Sequence, residues 1–181
     1  MTYHTRFTQD VLERAKNISI LFLDVDGVLT DGSIYLTENG ESIKKFHTLD
    51  GLGIKQLQQL GIAVVIISGR ESPPLKKRIA ELSIQHFYLN VANKLTQAQA
   101  VLDQHQLDWS QTACMGDDWP DAPVLKKSNL AIAPPLAHYE ITQLAHYTTQ
   151  NHAGHGAVRE VCDMLLVASG HYDRLWKDAL Q

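Results

Sequence analysis

Apolar positions along the chain fall into short continuous runs, separated by stretches in which they recur at helical spacing. Residues 18–23 (Ile-Ser-Ile-Leu-Phe-Leu) and 62–67 (Ile-Ala-Val-Val-Ile-Ile) are the strongest runs. Their length and β-branched content predict strands buried on both faces. Shorter runs at 86–89, 112–115 and 130–133 predict three more strands, and 147–149 a sixth. Helical spacing occupies the intervals. Residues 7–16 read as a short helix. In 52–60 the apolar positions are Leu52, Ile54, Leu57 and Leu60, and Gly61 follows as a cap. Ser72-Pro73 opens a helix running to about 82. Residues 94–105 carry Leu95, Ala98, Val101 and Leu102 on one face, and 121–127, 156–168 and 173–180 complete the helices. One excursion interrupts the alternation: 34–36 and 42–46 pair through residues 37–41, where Asn39-Gly40 signals a hairpin. Strands alternating with helices predict an α/β fold, doubly wound on a mostly parallel, Rossmann-like sheet. The expected organisation is one domain over 1–181, with a β-hairpin insert at 33–46, no large cap domain and a C-terminal tail at 171–181.

Composition narrows the class. Of the 181 residues 44% are hydrophobic and 20% charged, as in globular proteins. Sixteen Lys and Arg against 20 Asp and Glu leave a formal charge of −4, the opposite of the surplus that nucleic acid or an anionic membrane attracts. Neither class of partner is expected. The two cysteines, Cys114 and Cys162, match no zinc or redox spacing and are expected as reduced, buried thiols. The first residues read as polar and amphipathic and no apolar run approaches bilayer length, so the expected address is the cytoplasm.

The candidate chemistry lies where strands end. Asp24 and Asp26, followed by Gly27, stand directly after the first strand. Like charges this close repel, so a cation or a catalytic task is needed to hold them there. One carboxylate can attack phosphorus and the other can donate a proton to the leaving alcohol. An EF-hand loop is excluded because Val28 and Leu29 occupy positions that motif reserves for other residues. Ser68 follows the second strong strand, where a hydroxyl and turn N–H groups can hold phosphate oxygens. Lys94 opens a helix, a position unfavourable for a cation unless an anion sits beside it. Gly116-Asp117-Asp118-Trp119-Pro120-Asp121 sets three acids at another strand end, a donor set suited to Mg²⁺. Each feature alone is also what an ordinary turn or helix start looks like. Together, nucleophile, acid, charge neutraliser and metal ligands are the parts that phosphoryl transfer requires.

In that order the four motifs resemble those of the haloacid dehalogenase phosphatase superfamily, over about residues 18–165. The resemblance implies that Asp24 is the nucleophile and a Mg²⁺ ligand, and that Asp26 is the general acid/base and binds Mg²⁺ through its carbonyl. It implies further that Ser68 and Lys94 hold the phosphoryl group and that Asp117 ligates Mg²⁺, supported by Asp118 and Asp121. Within the superfamily the chain is similar to the 3-deoxy-D-manno-octulosonate 8-phosphate (KDO 8-phosphate) phosphatases. That similarity rests on the run from Asp24 to Gly32, Asp50-Gly51 with Gly53-Ile54, residues 67–70 with Arg78, Asn93-Lys94 and residues 156–162. It implies hydrolysis of that sugar phosphate in lipopolysaccharide precursor synthesis, by a homotetramer in which each hairpin covers a neighbour's site. The C-terminal tail is implied to reach a neighbour too. The substrate residues it implies are Asp26, His47, Thr48, Leu49, Asp50, Gly51, Lys55, Arg70, Arg78 and Lys94. The two arginines suit a carboxylate held in a fork.

Leu49 and His155 stand where this group is expected to carry Arg, and Trp119-Pro120 is unusual in the fourth motif. Another sugar-acid phosphate, a nonulosonate 9-phosphate, is the alternative substrate. A non-catalytic sugar-phosphate-binding module is the alternative class, but it predicts loss of Asp24, Asp26, Lys94 or Asp117, and all are present. A mutase would need a water-excluding cap, for which the stretch between Gly32 and His47 is too short. His138, His146, His152 and His155 fit no zinc spacing, and zinc is not expected.

Overall fold

Four consecutive apolar residues with no exposed face make β1 (Ile20–Leu23) the centre of the molecule. The computed structural model describes residues 6–38 and 40–181, with the backbone alone at Glu41 and Ser42. Six strands form one sheet in the order β5-β4-β1-β6-β7-β8. These are β1, β4 (Ala63–Ile67), β5 (His86–Tyr88), β6 (Thr112–Met115), β7 (Leu130–Ala133) and β8 (Tyr147–Thr148). All neighbouring pairs are parallel. Between β1 and β6 the direction of winding reverses, which opens a crevice at the carboxyl ends of those strands. Leu23 pairs with Ile66 on one side and Met115 on the other, so the loops after β1, β4 and β6 leave the sheet at nearly the same level.

The strand alternation divides the core between two faces. Leu21 and Leu23 join Val64, Ile66, Ala113 and Met115 in one apolar layer. That layer is covered by α1 (Gln9–Ala15), α2 (Thr48–Gln59), α3 (Pro73–Glu81) and α7 (Ala157–Ala168). Ile20 and Phe22 point the other way, with Val65, Ile67, Cys114 and Ala131. Here the cover is α4 (Lys94–His105), α5 (Ala122–Lys127) and α6 (Tyr139–Leu144). Both cysteines are buried and unbridged. The last helix, α8 (Tyr172–Asp178), packs on α7 through Tyr172 and Leu175.

Four elements depart from expectation by more than a residue or two at an end. Helix α2 starts at Thr48, one turn early, because Asp50 is drawn inward to the backbone of α7. Helix α6 was not expected. It is short, buries only Ile141 and shows too little periodicity to read. In the fourth motif a 3-10 turn, Trp119–Asp121, precedes α5 and is capped by Asp118. The hairpin forms a separate two-stranded sheet of β2 (Tyr35–Thr37) and β3 (Gly40–Ile43). Its second strand ends at Ile43 instead of residue 46, because the chain turns inward there and buries the Lys44 side chain. Asn39, half of the expected turn signal, lies outside the described residues. Among the described residues no helix is long and apolar enough to cross a membrane.

Candidate active site

The loop after β1 is wound tightly around one carbonyl. Val25 C=O accepts from the amides of Val28, Leu29 and Thr30, and the buried Thr30 hydroxyl adds a contact at 3.4 Å. This winding turns Asp24 and Asp26 into the crevice. Gly27 sits at φ +87°, and a Cβ there would lie 2.0 Å from Asp117 Oδ2. Only glycine lets the first-motif loop pass so close to the fourth-motif carboxylate.

Lys94 reaches in from the first residue of α4, whose cap is Asn93. Its ammonium is 2.7 Å from Asp24 Oδ1 and 2.6 Å from Asp121 Oδ1. Burial pulls the lysine pKa down, but the two carboxylates outweigh this and the net shift is upward. The cation unfavourable at a helix start is thus neutralised by two anions. Asp121 uses its other oxygen to accept from the amides of Asp117 at 3.1 Å and Asp118 at 3.4 Å. It therefore orders both the lysine and the loop that carries Asp117. Ser68 is buried at the end of β4, with Oγ accepting from the Arg70 amide at 3.2 Å.

Asp24, Asp26, Ser68, Arg70, Lys94, Asp117, Asp118 and Asp121 line one cleft of about 240 Å³. Burial and the charge of Asp121 push the Asp24 carboxyl up to about 6, against the lowering effect of Lys94. Asp117 is pushed up to about 8 by burial and by the charges of Asp24, Asp121 and Asp118. Carboxylate oxygens of Asp24, Asp117 and Asp121 lie within 4.8 Å of one another. A hard divalent cation fits this set, because all donors are oxygen and the single Lys94 charge offsets only part of the repulsion among three acids. Asp121 is nearest to full use already, so Asp24 and Asp117 have the greater capacity for a metal. Asp118 is exposed and caps the 3-10 turn through a 2.8 Å bond from the Trp119 amide.

The remaining sequence candidates stand apart from this cleft. His47 is the residue before α2, and its carbonyl accepts from Arg78 at 3.0 Å. Arg78 also pairs with Glu81 and lies over the Phe46 ring. Thr48 and Leu49 are exposed on the first turn of α2. Asp50 is buried, with Oδ1 accepting the Arg159 amide at 2.7 Å, and burial pushes its pKa up to about 6. A Cβ on Gly51 would meet Arg78 at 2.5 Å. Lys55 lines a different hollow with Ala63 and His86, where β4 and β5 begin, at the opposite end of the sheet. His155 is exposed, with Nε2 3.0 Å from Lys45 Nζ.

Sequence reasoning missed Lys44. Its buried ammonium donates to Asp26 Oδ1. One of two adjacent lysines in an apparently solvated hairpin offers no periodic signal. It missed Thr30 also, which binds the amides of Gly27 at 3.4 Å and Gly32 at 3.2 Å.

Residues 90–161 match the family model of haloacid dehalogenase-like hydrolases. The chain is 43% identical over 164 residues to 3-deoxy-D-manno-octulosonate 8-phosphate phosphatase KdsC of Escherichia coli K12, covering 91% of this chain and 87% of that one. Among solved structures, the phosphatase of that name from Yersinia pestis superposes with a TM-score of 0.90 at 41% identity, over 92% of this chain and 90% of that one. The corresponding enzyme of Moraxella catarrhalis, solved with magnesium ion, phosphate ion and KDO, gives 0.92 at 33% identity, over 97% and 100%. Near-complete coverage at this identity extends through the hairpin and the cleft, and the chain belongs to the KDO 8-phosphate phosphatase family of haloacid dehalogenase-like hydrolases.

Proposed function

We propose that the protein hydrolyses KDO 8-phosphate to KDO and phosphate, in lipopolysaccharide precursor synthesis. The observation that carries this reading is the convergence of Asp24, Asp26, Ser68, Lys94 and Asp117 on one cleft at the switch point of the sheet. The relatives' substrate favours KDO 8-phosphate over a nonulosonate 9-phosphate.

A carboxylate oxygen of Asp24 attacks phosphorus, and the bond from phosphorus to the sugar oxygen breaks. Asp26 gives a proton to the departing alkoxide. Water then attacks the aspartyl-phosphate, yielding its proton to Asp26, which frees phosphate and restores Asp24. Lys94 and Ser68 hold the phosphoryl oxygens, and Asp121 keeps the Lys94 ammonium in place. Arg70, half exposed at the rim, is placed to meet the sugar acid. Mg²⁺ is the cofactor in this reading, held by Asp24, Asp117 and the Asp26 carbonyl, and when bound it supplies positive charge to the phosphoryl oxygens.

His47, Thr48, Leu49, Asp50, Gly51, Lys55 and Arg78 do not line the cleft of their own chain; of these Thr48, Leu49 and Lys55 are exposed and open to a neighbouring subunit. A homotetramer with the hairpin over a neighbour's cleft is the assembly we infer. Exposed Ile34, Tyr35, Leu36 and Ile43 on the hairpin support it. Two buried free thiols support a cytoplasmic address.

The test is phosphate release from KDO 8-phosphate and a panel of sugar phosphates, with and without Mg²⁺. Preference for KDO 8-phosphate, lost without Mg²⁺ and reduced at least about 10³-fold in Asp24→Asn, is the expected result. Preference for another sugar acid overturns the substrate, and no release from any overturns the activity.

A further inference from the structure

The foot of the hairpin sends two neighbouring lysines in different directions. Lys45 stays near half exposed and reaches Asp31 at 3.3 Å and His155 at 3.0 Å. Lys44 turns inward, where its side chain is 3% exposed, and its ammonium donates to Asp26 Oδ1. A lysine this buried is rare without a dedicated partner, since an unpaired ammonium away from water is costly. Among the described residues the other cation near the Asp26 carboxylate is Arg70, whose Nε lies 3.8 Å from Oδ2, beyond hydrogen-bond reach, on a side chain 47% exposed. Lys44 is therefore the closer and better-shielded contact of Asp26. Lys94 faces Asp24 and Asp121 instead, and Ser68 receives the Arg70 amide.

A proton donor and acceptor works only when held at the right distance from the reacting oxygen, and a misplacement of about 1 Å lowers the rate on the order of 10²-fold. Asp26 sits on a turn wound around Val25 C=O, with Gly27 and its positive φ immediately after it. Its backbone is thus fixed by the turn, while its side chain is oriented from outside. We propose that Lys44 is a positioning residue of the reaction: from the foot of the hairpin its ammonium holds the Asp26 carboxylate in the cleft. The hairpin then does more than cover a cleft. It also braces Asp26 of its own chain, and anything that lifts β3 withdraws the restraint on Asp26. This rests on the reading of Asp26 as the acid/base above.

The experiment is a double-mutant cycle on the full-length protein, with kcat and KM for KDO 8-phosphate and circular dichroism on every variant. Lys44→Met keeps the aliphatic stem and removes the ammonium. Expected is a fall in kcat of about tenfold or more with KM within about threefold, and partial recovery in Lys44→Arg. In an Asp26→Asn background the same change lowers the residual kcat by no more than about twofold, because the group Lys44 acts through is already altered. Lys45→Met is the control, with kcat within about twofold of wild type.

An unchanged kcat in Lys44→Met overturns the proposal. So does an equal loss with and without Asp26→Asn, which assigns the lysine to general stability. Failure of both Lys44→Met and Lys44→Gln to fold does the same. A folded wild type that releases no phosphate overturns the phosphatase reading and this inference with it. An active wild type indifferent to Lys44 overturns this inference alone.

Discussion

Asp24 and Asp117 are carboxyls that the fold buries beside one another, and their protonation follows from that placement. The unfolded chain releases both protons near 3.8, whereas the folded chain holds them to about 6 and about 8. Between those limits the folded state binds more protons, so metal-free protein loses stability as pH rises from about 4 to 8. A divalent cation opposes this loss by preferring the ionised pair. Mg²⁺ at about 100 times its Kd adds about 2.7 kcal/mol, or roughly 5–10 °C in Tm. The gain measured by thermal melts is expected to increase from pH 6 to pH 8, with protons released on binding. A Tm indifferent to Mg²⁺ at pH 8 would count against these carboxyls as the metal site.

One carboxylate also decides how two helices meet. Asp50, in the first turn of α2, accepts the Arg159 amide at the start of α7, and so caps a helix remote in sequence. Burial outweighs that bond and the nearby charges of His47 and Arg78, raising the pKa to about 6. The folded state holds this proton between about pH 4 and 6, where the unfolded state has lost it, so stability contributed here falls as pH climbs through that window. Asp50→Asn keeps an oxygen for the Arg159 amide and removes the titration. Urea unfolding at pH 4 and pH 7 should show the wild type losing about 2 kcal/mol more than the variant across the interval. Equal losses would mean that Asp50 ionises normally. A second buried carboxylate, Glu160, fastens the loop before α7 by accepting from Tyr147 OH at 2.6 Å and from the amides of Gln150 and Asn151 at 2.9 and 3.0 Å.

For the molecule as a whole, the hairpin is one place where several apolar side chains remain uncovered together. Leu36 is 72% exposed and Ile43 60%, on a two-stranded sheet that hydrogen-bonds to no other strand among the described residues. Isolated two-stranded hairpins are marginal in water, so a partner surface is expected to steady this one. If the hairpin forms the proposed interface, Leu36→Glu with Ile43→Glu should reduce the mass seen by light scattering below that of the wild type, with Tm of the core lowered by no more than a few degrees. An unchanged mass would remove the hairpin from the interface.

The alternation of buried runs with helical spacing was enough to determine the α/β class, because that class is written in local periodicity. The order Asp24, Asp26, Ser68, Lys94, Asp117 at successive strand ends was legible for the same reason: a parallel sheet brings the ends of its strands to one edge, so sequence order maps onto a site. Local pattern cannot say which charge faces which. That Asp121 holds Lys94, that Asp50 faces a helix and not the cleft, and that Lys44 folds inward while Lys45 folds outward were decided by loops packing across the sheet. The strength of these contacts depends on burial, which arises only when distant segments exclude water together.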